Sequence, residues 1–164
     1  MRLFVAVRPP DAVLDVIGGL RRPAREGVRW TTRPQWHVTL RFLGEVDDPA
    51  PVVAALETAP LVGCAAVMGP RVAALGYGVV IVPVAGLEAL AEGVVATTGQ
   101  FGRAPEARPF RGHLTLARVR RGSVRGLVGE AIELRFPVEH IRLVRSRPGP
   151  GGARYDDVHV RRLD

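Results

Sequence analysis

The tetrapeptide His37-Val38-Thr39-Leu40 has a second copy in the chain, His113-Leu114-Thr115-Leu116. Both copies lie in apolar runs typical of β-strands, where successive side chains alternate between the two faces. The histidine and the threonine of each copy should therefore share one face. The chain has 4 histidines. The probability that two of them match this pattern by chance is on the order of a few in ten thousand. The repeat predicts two motif strands that face a common site.

Two imidazoles and two hydroxyls on facing strands suit chemistry on a phosphate diester. One histidine can act as general acid and the other as general base near neutral pH, which predicts a bell-shaped pH–rate profile. Threonine hydroxyls can donate hydrogen bonds to non-bridging phosphate oxygens. We therefore predict that His37 and His113 are catalytic, that Thr39 and Thr115 bind substrate, and that no metal or other cofactor takes part.

Two arginines follow the motifs. Strict alternation places Arg41 on the face of the first motif's histidine and threonine, which makes it a candidate for a phosphate contact. The same rule turns Phe42 towards the core. Arg118 lies five residues after the second motif's histidine, so alternation places it on the opposite face. Only a β-bulge or a twist at the strand end would return Arg118 to the site.

The composition indicates one packed domain with an anionic partner. The chain has 164 residues, a hydrophobic content of 47% and a net charge of +7, and all of its basic residues are arginine. GC-rich coding explains the choice of arginine over lysine, but the excess positive charge favours RNA or another polyanion. The single cysteine, Cys64, excludes an intrachain disulfide, and no apolar run reaches the roughly 20 residues that span a bilayer. We expect a cytoplasmic monomer that does not bind membranes.

The order of the predicted elements indicates an α+β fold. Helices are predicted over residues 11–22, 50–58 and 86–98, with a short one near 123–129. Strands are predicted over residues 2–8, 28–30, 36–43, 64–68, 71–75, 79–82, 113–119, 132–136, 140–146 and 155–163. One motif falls in each half, so we expect residues 1–164 to form a single domain of two pseudo-symmetric lobes. Each lobe would contribute an antiparallel sheet and flanking helices to the walls of a central cleft.

Other chemically active residues have simpler interpretations. His140 and His159 lack a threonine two residues later and lie in alternating strands, so we expect them to be structural. The chain does not show the cysteine and histidine spacing of a zinc site. The segment Gly76-Tyr77-Gly78 is typical of a hairpin turn.

Several stretches together resemble one known family. They are the opening strand RLFVAV, the pair Arg29-Trp30, residues 37–46 (HVTLRFLGEV), residues 109–118 (PFRGHLTLAR) and the tail 143–155 (LVRSRPGPGGARY). The chain resembles the 2H phosphoesterases, and among them the RNA 2′,3′-cyclic phosphodiesterases, which are also called 2′-5′ RNA ligases. The resemblance covers nearly the whole chain.

The resemblance implies a bilobal α+β fold and metal-independent hydrolysis of an RNA 2′,3′-cyclic phosphate to a 2′-phosphate. It implies that His37 protonates the departing O3′ and that His113 activates water, a division that the residues alone leave open. Thr39 and Thr115 would hold the phosphate, and Arg118 matches the arginine that follows the family's second motif. The implied substrate is RNA with a cyclic phosphate end, such as a tRNA-derived fragment, and weak reverse 2′-5′ ligation is implied as well.

Two positions depart from the family's usual residues. Gly112 stands where the family usually has proline, and we expect it to loosen the entry to the second motif strand. Trp36 stands where leucine is more usual, and we expect it to pack in the core without loss of chemistry.

Two other functions remain open. A related 2H phosphodiesterase could act on 2′-5′ oligonucleotides or on a small nucleoside cyclic phosphate with the same four motif residues, and the net charge of +7 favours a polynucleotide only modestly. The other alternative is a non-catalytic RNA-binding protein, against which the intact histidines and threonines of both motifs argue.

Overall fold

Antiparallel strands make up most of the molecule, and three helices pack against them. The computed structural model describes residues 1–164. The helices are α1 (Asp11–Gly18), α2 (Ala50–Thr58) and α3 (Glu88–Thr98), and none is long and apolar enough to cross a membrane. The strands are β1 (Arg2–Val7), β2 (Val28–Trp30), β3 (Val38–Glu45), β4 (Cys64–Met68), β5 (Ala73–Leu75), β6 (Val79–Ala85), β7 (His113–Val119), β8 (Leu134–Val138), β9 (His140–Arg147) and β10 (Arg154–Arg162).

The strands form one continuous sheet in the order β10-β9-β1-β3-β7-β6-β4-β8, with β2 beside β7 and β5 beside β6. The two motif strands, β3 and β7, pair only through Val38 and Leu114 and diverge on either side of that pair. The sheet therefore curls, and its two halves face a common cleft. The predicted α+β fold is confirmed, and the two predicted sheets are joined into one at this single pair.

The main core lies on the helix side of the sheet. Leu14 and Ile17 of α1 and Val94 of α3 belong to it, together with Val38 and Leu114 of the motif strands, and all five side chains are fully buried. Burying an aliphatic side chain of this size contributes about 1.5–3 kcal/mol, so the apolar positions of each motif anchor its strand. The intervening histidines and threonines consequently face the cleft.

Strand β1 is buried on both faces, which explains its unbroken apolar sequence. Leu3, Val5 and Val7 join the main core. Phe4 and Ala6 point to the other side, where they form a small apolar cluster with Val144 of β9. Phe42 and Tyr155 pack against this cluster. This cluster provides an apolar floor beside the cleft.

Two helix predictions need correction. The predicted helix near residues 123–129 was wrong, because this segment consists of turns and bends. Gly122, Gly126 and Gly129 have φ values of 79°, 81° and 101° there, a region that a right-handed helix does not use. The first helix ends at Gly18 rather than near residue 22, and its C-cap is Gly19, consistent with the low helix propensity of glycine.

Candidate active site

The two motifs meet head to tail at the centre of the sheet. In an antiparallel register, the pairing of Val38 with Leu114 sets His37 opposite Thr115 and Thr39 opposite His113. All four polar side chains line one cavity of about 470 Å³. The structure thus brings together the two histidines and two threonines that the sequence predicted, around a local pseudo-twofold axis.

Each motif strand has a β-bulge at the same motif position. Against β1, Thr39 and Arg41 pair with consecutive residues, so Leu40 is the extra residue. Against β6, Thr115 and Ala117 likewise pair with consecutive residues, so Leu116 is extra. Each bulge reverses the alternation that follows it, and both extra residues are buried leucines.

The prediction that Arg41 shares the face of His37 was wrong, because the bulge at Leu40 turns the arginine away from the cleft. Arg41 is 5% exposed. Its guanidinium donates to Thr98 Oγ1 at 3.0 Å and to backbone carbonyls that include those of Phe101 (3.0 Å) and Arg103 (2.8 Å). Burial lowers the pKa of Arg41 from its ordinary value. This arginine ties β3 to the segment after α3 and is not available to a substrate.

The two bulges also bring two other side chains into the cleft. Phe42, which strict alternation assigned to the core, lines the cavity. Arg118 also lines the cavity and is exposed, because the bulge at Leu116 returns it to the face of the second motif. Phe42 and Arg118 therefore occupy equivalent positions, each five residues after its motif histidine.

The bulge in β7 is held by a hydrogen-bond chain from the residues before β3. Thr31 donates its backbone N–H to the carbonyl of Leu116 at 2.8 Å. The Thr31 hydroxyl lies 2.8 Å and 2.9 Å from the carbonyls of Thr115 and Leu116, and it accepts a bond from Trp36 Nε1 at 3.0 Å. Trp36 is 2% exposed, so the expectation that it packs in the core is confirmed. Trp36 also connects the start of the first motif to the bulge of the second.

Both histidines are oriented by the same backbone contact. Nδ1 of His37 lies 2.7 Å from the carbonyl oxygen of Gln35, and Nδ1 of His113 lies 2.7 Å from that of Arg111. Because a carbonyl only accepts hydrogen bonds, each Nδ1 carries the proton, and each Nε2 is the nitrogen available for proton transfer. In His37, Nε2 lies 3.0 Å from Thr39 Oγ1, so the hydroxyl donates to the neutral ring.

The His37 ring is enclosed by two aromatic side chains. Its ring centroid lies 4.8 Å from that of Phe4 and 5.1 Å from that of Tyr155. Burial lowers the pKa of His37 to about 4, and electrostatic interactions with His113 and Arg8 act in the same direction. Behind this ring, a second cavity of about 380 Å³ extends along the apolar floor that contains Phe4 and Val144.

The cleft has a strong positive charge that no protein carboxylate neutralises. Arg2, Arg29, Arg118 and Arg120 line it, and none of them forms a salt bridge. Arg2 lies over the Phe42 ring, with its guanidinium carbon 4.9 Å from the ring centroid. Burial raises the pKa of the Tyr155 phenol, and the charges of Arg118, Arg2 and Arg29 oppose that rise. Guanidinium groups without a carboxylate partner suit phosphate ligands.

Several cleft residues were not assigned from the sequence. Tyr155, Gln35 and Ser146 line the cavity, and strand periodicity alone did not distinguish them. Gln35 donates through Nε2 to the carbonyl of Ala153 at 2.9 Å, which ties the β9–β10 loop to the residue that orients His37. A Cβ on Gly152 of that loop would lie 1.5 Å from Nη2 of Arg29, so this glycine permits the close approach of the arginine.

The two other histidines lie outside the cleft, and Gly112 lies at the entry to β7. His159 contacts Glu57 through Nε2, away from the cleft, and His140 does not line the cavity. At Gly112, a Cβ would lie 2.2 Å from the carbonyl oxygen of Val84. The glycine therefore permits close contact between the entry to β7 and β6.

Comparison with known proteins agrees with this geometry. The family model described as LigT-like phosphoesterase matches residues 5–61, which include the end of β1 and the whole first motif. The fold matches the crystal structure of TT0787 of Thermus thermophilus with a TM-score of 0.80 and 29% sequence identity, covering 99% of this chain and 98% of that chain. In sequence, the first third of the chain is similar to the LigT-like phosphoesterases, and in fold the whole chain is similar to TT0787.

Two further solved structures have the fold of this chain. The apo form of LigT from E. coli matches with a TM-score of 0.81 at 24% identity, covering 99% of this chain and 96% of that one. E. coli LigT complexed with 3′-AMP matches with a TM-score of 0.79 at 23% identity, covering 99% and 97%. Among curated proteins, none matches the chain. The likeness to E. coli LigT therefore shows the fold of this chain.

Proposed function

We propose that this protein is a 2H phosphoesterase and that it hydrolyses RNA 2′,3′-cyclic phosphate ends to 2′-phosphomonoesters by a metal-independent, two-histidine mechanism. The observation that carries the proposal is the paired arrangement of two Nε2 atoms and two threonine hydroxyls in one positively charged cavity of about 470 Å³. The binding of 3′-AMP by E. coli LigT supports a nucleotide ligand for a cleft of this fold. The charge of +7 supports a polynucleotide.

The proposed reaction has one bond formed and one broken at phosphorus. His113 Nε2 accepts a proton from water as the water oxygen attacks the phosphorus. His37 Nε2 gives a proton to O3′ as the P–O3′ bond breaks, which leaves the phosphate on O2′. The hydroxyls of Thr39 and Thr115 and the guanidinium of Arg118 donate to the non-bridging oxygens, where negative charge accumulates. If the 5′-hydroxyl of a second RNA attacks the phosphorus in place of water, the same bond to O3′ breaks and the product is a 2′-5′ linkage, a reaction that we expect to be slow.

The low pKa of His37 adds a requirement to this division of roles. With a pKa of about 4 in the free protein, its ring is neutral near pH 7. A general acid at this position must therefore take up a proton as the phosphate binds, because the anion stabilises the imidazolium. Binding of a 2′-phosphate product should accordingly strengthen as the pH falls, and the pKa of His37 measured by NMR should rise in the complex. A pKa of His37 that stays unchanged in the complex would assign the acid role to His113.

The decisive test is incubation of the protein, in EDTA, with a short RNA that ends in a 2′,3′-cyclic phosphate. We expect a product with a 2′-phosphate, and we expect His37→Ala and His113→Ala each to slow its formation by about 10²- to 10⁴-fold. His140→Ala, which changes a histidine outside the cavity, serves as the matched control and should retain full activity.

Parallel reactions separate the alternatives. Turnover of linear 2′-5′ oligonucleotides or of small nucleoside cyclic phosphates, without turnover of the RNA end, would overturn the proposed substrate while keeping the two-histidine chemistry. RNA binding without turnover of any of the three substrates would overturn the enzymatic proposal itself.

A further inference from the structure

We propose that the RNA strand that continues from the reactive phosphate runs over Arg118 and Arg120 to the β5–β6 hairpin, where the Tyr77 ring stacks on a base. This inference rests on the proposed function for the identity of the ligand. The residues that support it lie outside the two motifs, at one end of the cleft and at the tip of the adjacent hairpin.

The two ends of the cleft differ in how their arginines are occupied. At one end, Arg2 lies on the Phe42 ring, so that guanidinium already has a partner. At the other end, Arg118 pairs in register with Arg29 of β2, and both line the cavity without a salt bridge. Arg120 lines the same end and is exposed. Three unpartnered guanidinium groups exceed what one reacting phosphate needs, which indicates contacts to further phosphates.

The spacing of these arginines suits a nucleic acid strand. Arg118 and Arg120 are two residues apart at the end of β7, or roughly 6–7 Å along an extended chain. Successive phosphates of one stacked strand advance by about 3.4 Å along the axis. The two guanidinium groups can therefore follow a backbone for about two nucleotides beyond the reactive end.

Tyr77 lies beside this row of arginines. Val79 of β6 pairs with Arg118 of β7, and the backbone N–H of Val119 donates to the carbonyl of Gly78 at 2.8 Å. This antiparallel register brings Tyr77 level with Arg120, at about the 4.8 Å separation of neighbouring strands.

The Tyr77 ring is 99% exposed and has no partner in the folded chain. Its backbone is nevertheless well held, because Gly78 is bonded to β7 and a Cβ at Gly78 would lie 2.9 Å from the Val119 carbonyl oxygen. An exposed aromatic ring next to a row of arginines is the combination that binds single-stranded nucleic acids, with stacking for the bases and positive charge for the backbone. The hairpin that the sequence predicted as a simple turn thus has the features of an RNA contact.

Binding measured separately from turnover tests this proposal. The probe is a single-stranded RNA of roughly eight nucleotides that ends in a 2′-phosphate and carries a 5′ fluorophore, with fluorescence anisotropy as the readout. We expect Tyr77→Ala to weaken binding by roughly 5- to 100-fold, and Tyr77→Phe, which keeps the ring, to bind within about twofold of the unchanged protein. The salt dependence of binding should be the same for Tyr77→Ala and for the unchanged protein.

Arg120→Ala should behave differently, because it removes a charge. Its slope of log affinity against log salt should decrease by about 0.7. Arg162→Ala is the charge-matched control, since Arg162 is exposed on β10, forms no salt bridge and lies outside the cleft. It should leave both affinity and slope unchanged.

Turnover of a mononucleotide 2′,3′-cyclic phosphate distinguishes this proposal from the proposed function. That substrate is too short to reach Tyr77, so Tyr77→Ala should leave its kcat/KM unchanged. Unchanged RNA affinity of Tyr77→Ala, an equal loss with the mononucleotide, or no RNA binding by the unchanged protein would each overturn the RNA path. Absence of mononucleotide and RNA turnover together with a Tyr77-dependent RNA affinity would overturn only the proposed function.

Discussion

Phe42 and Arg118 occupy equivalent positions on the two motif strands, and both line the cleft, on opposite sides of the Val38–Leu114 pair. Each follows its motif histidine by five residues, and each reaches the cleft because the leucine of its motif is the extra residue of a β-bulge. The pseudo-twofold relation is therefore one of backbone geometry, while the side chains have diverged. One end presents an aromatic ring covered by Arg2, and the other presents free positive charge.

The two bulges predict different effects for the arginines of the motif strands, because Arg118 faces the cleft and Arg41 is buried away from it. Arg118→Ala should lower kcat/KM by about 10- to 100-fold through loss of a charge-assisted phosphate contact, with little change in the free energy of unfolding. Arg41→Met should instead destabilise the fold by about 2–4 kcal/mol, because the Phe101 and Arg103 carbonyls lose their donor. Kinetics and denaturant unfolding of both variants provide the check. A stable Arg41→Met protein with weakened substrate binding would refute this assignment.

The stability of the protein should fall with acid in a window set by His37. Its pKa is lowered to about 4 by burial, whereas an unfolded histidine titrates near 6.5. Between these values the unfolded chain binds more protons than the native one, so this contribution is complete above pH 6.5 and is lost as the pH falls towards 4. The expected loss is roughly 3 kcal/mol.

Denaturant unfolding of the unchanged protein and of His37→Gln, measured from pH 7 to pH 4, isolates this contribution, because acidic side chains affect both proteins equally. The two proteins should differ in the slope of stability against pH in this window. Parallel slopes would show that His37 titrates normally in the native state.

The hydroxyl of Thr31 should matter for the second motif although it lies outside both motifs. Thr31→Val removes the hydroxyl that contacts the carbonyls of Thr115 and Leu116 and leaves the buried indole N–H of Trp36 without a partner. We expect a destabilisation of about 1–3 kcal/mol and a loss of roughly tenfold in kcat, because the bulge that presents Arg118 shifts. Thr31→Ser keeps the hydroxyl and should retain activity. A loss of stability with unchanged kcat would show that the bulge does not depend on this hydroxyl.

Neighbouring glycines of the β9–β10 loop should respond differently to a methyl group. At Gly152, φ is +107° and a Cβ would meet the guanidinium of Arg29. Gly152→Ala should therefore cost about 1–2 kcal/mol of stability and displace Arg29, which lowers kcat/KM. Gly151→Ala is the matched control, since a Cβ there meets nothing within 4 Å. Equal kinetics of the two variants would exclude a role of the Arg29 contact in substrate binding.

The sequence by itself determined the strand identity of both motifs and the pairing of a histidine with a threonine on one face of each. These inferences held because they need only two or three residues of unbroken alternation, with Val38 and Leu114 buried between the polar residues. The overall α+β class followed from the order of apolar runs and turn residues.

Only the tertiary structure decided which residues beyond each threonine reach the cleft. Alternation fails at Leu40 and Leu116 because a bulge depends on the partner strand and on contacts from distant residues, such as the bonds of Thr31 to β7. Those contacts are absent from any local pattern, so Arg41 was assigned to the cleft and Phe42 to the core. The enclosure of His37 by Phe4 and Tyr155 likewise arises from strands far apart in the chain, and it is this enclosure that lowers the pKa of His37.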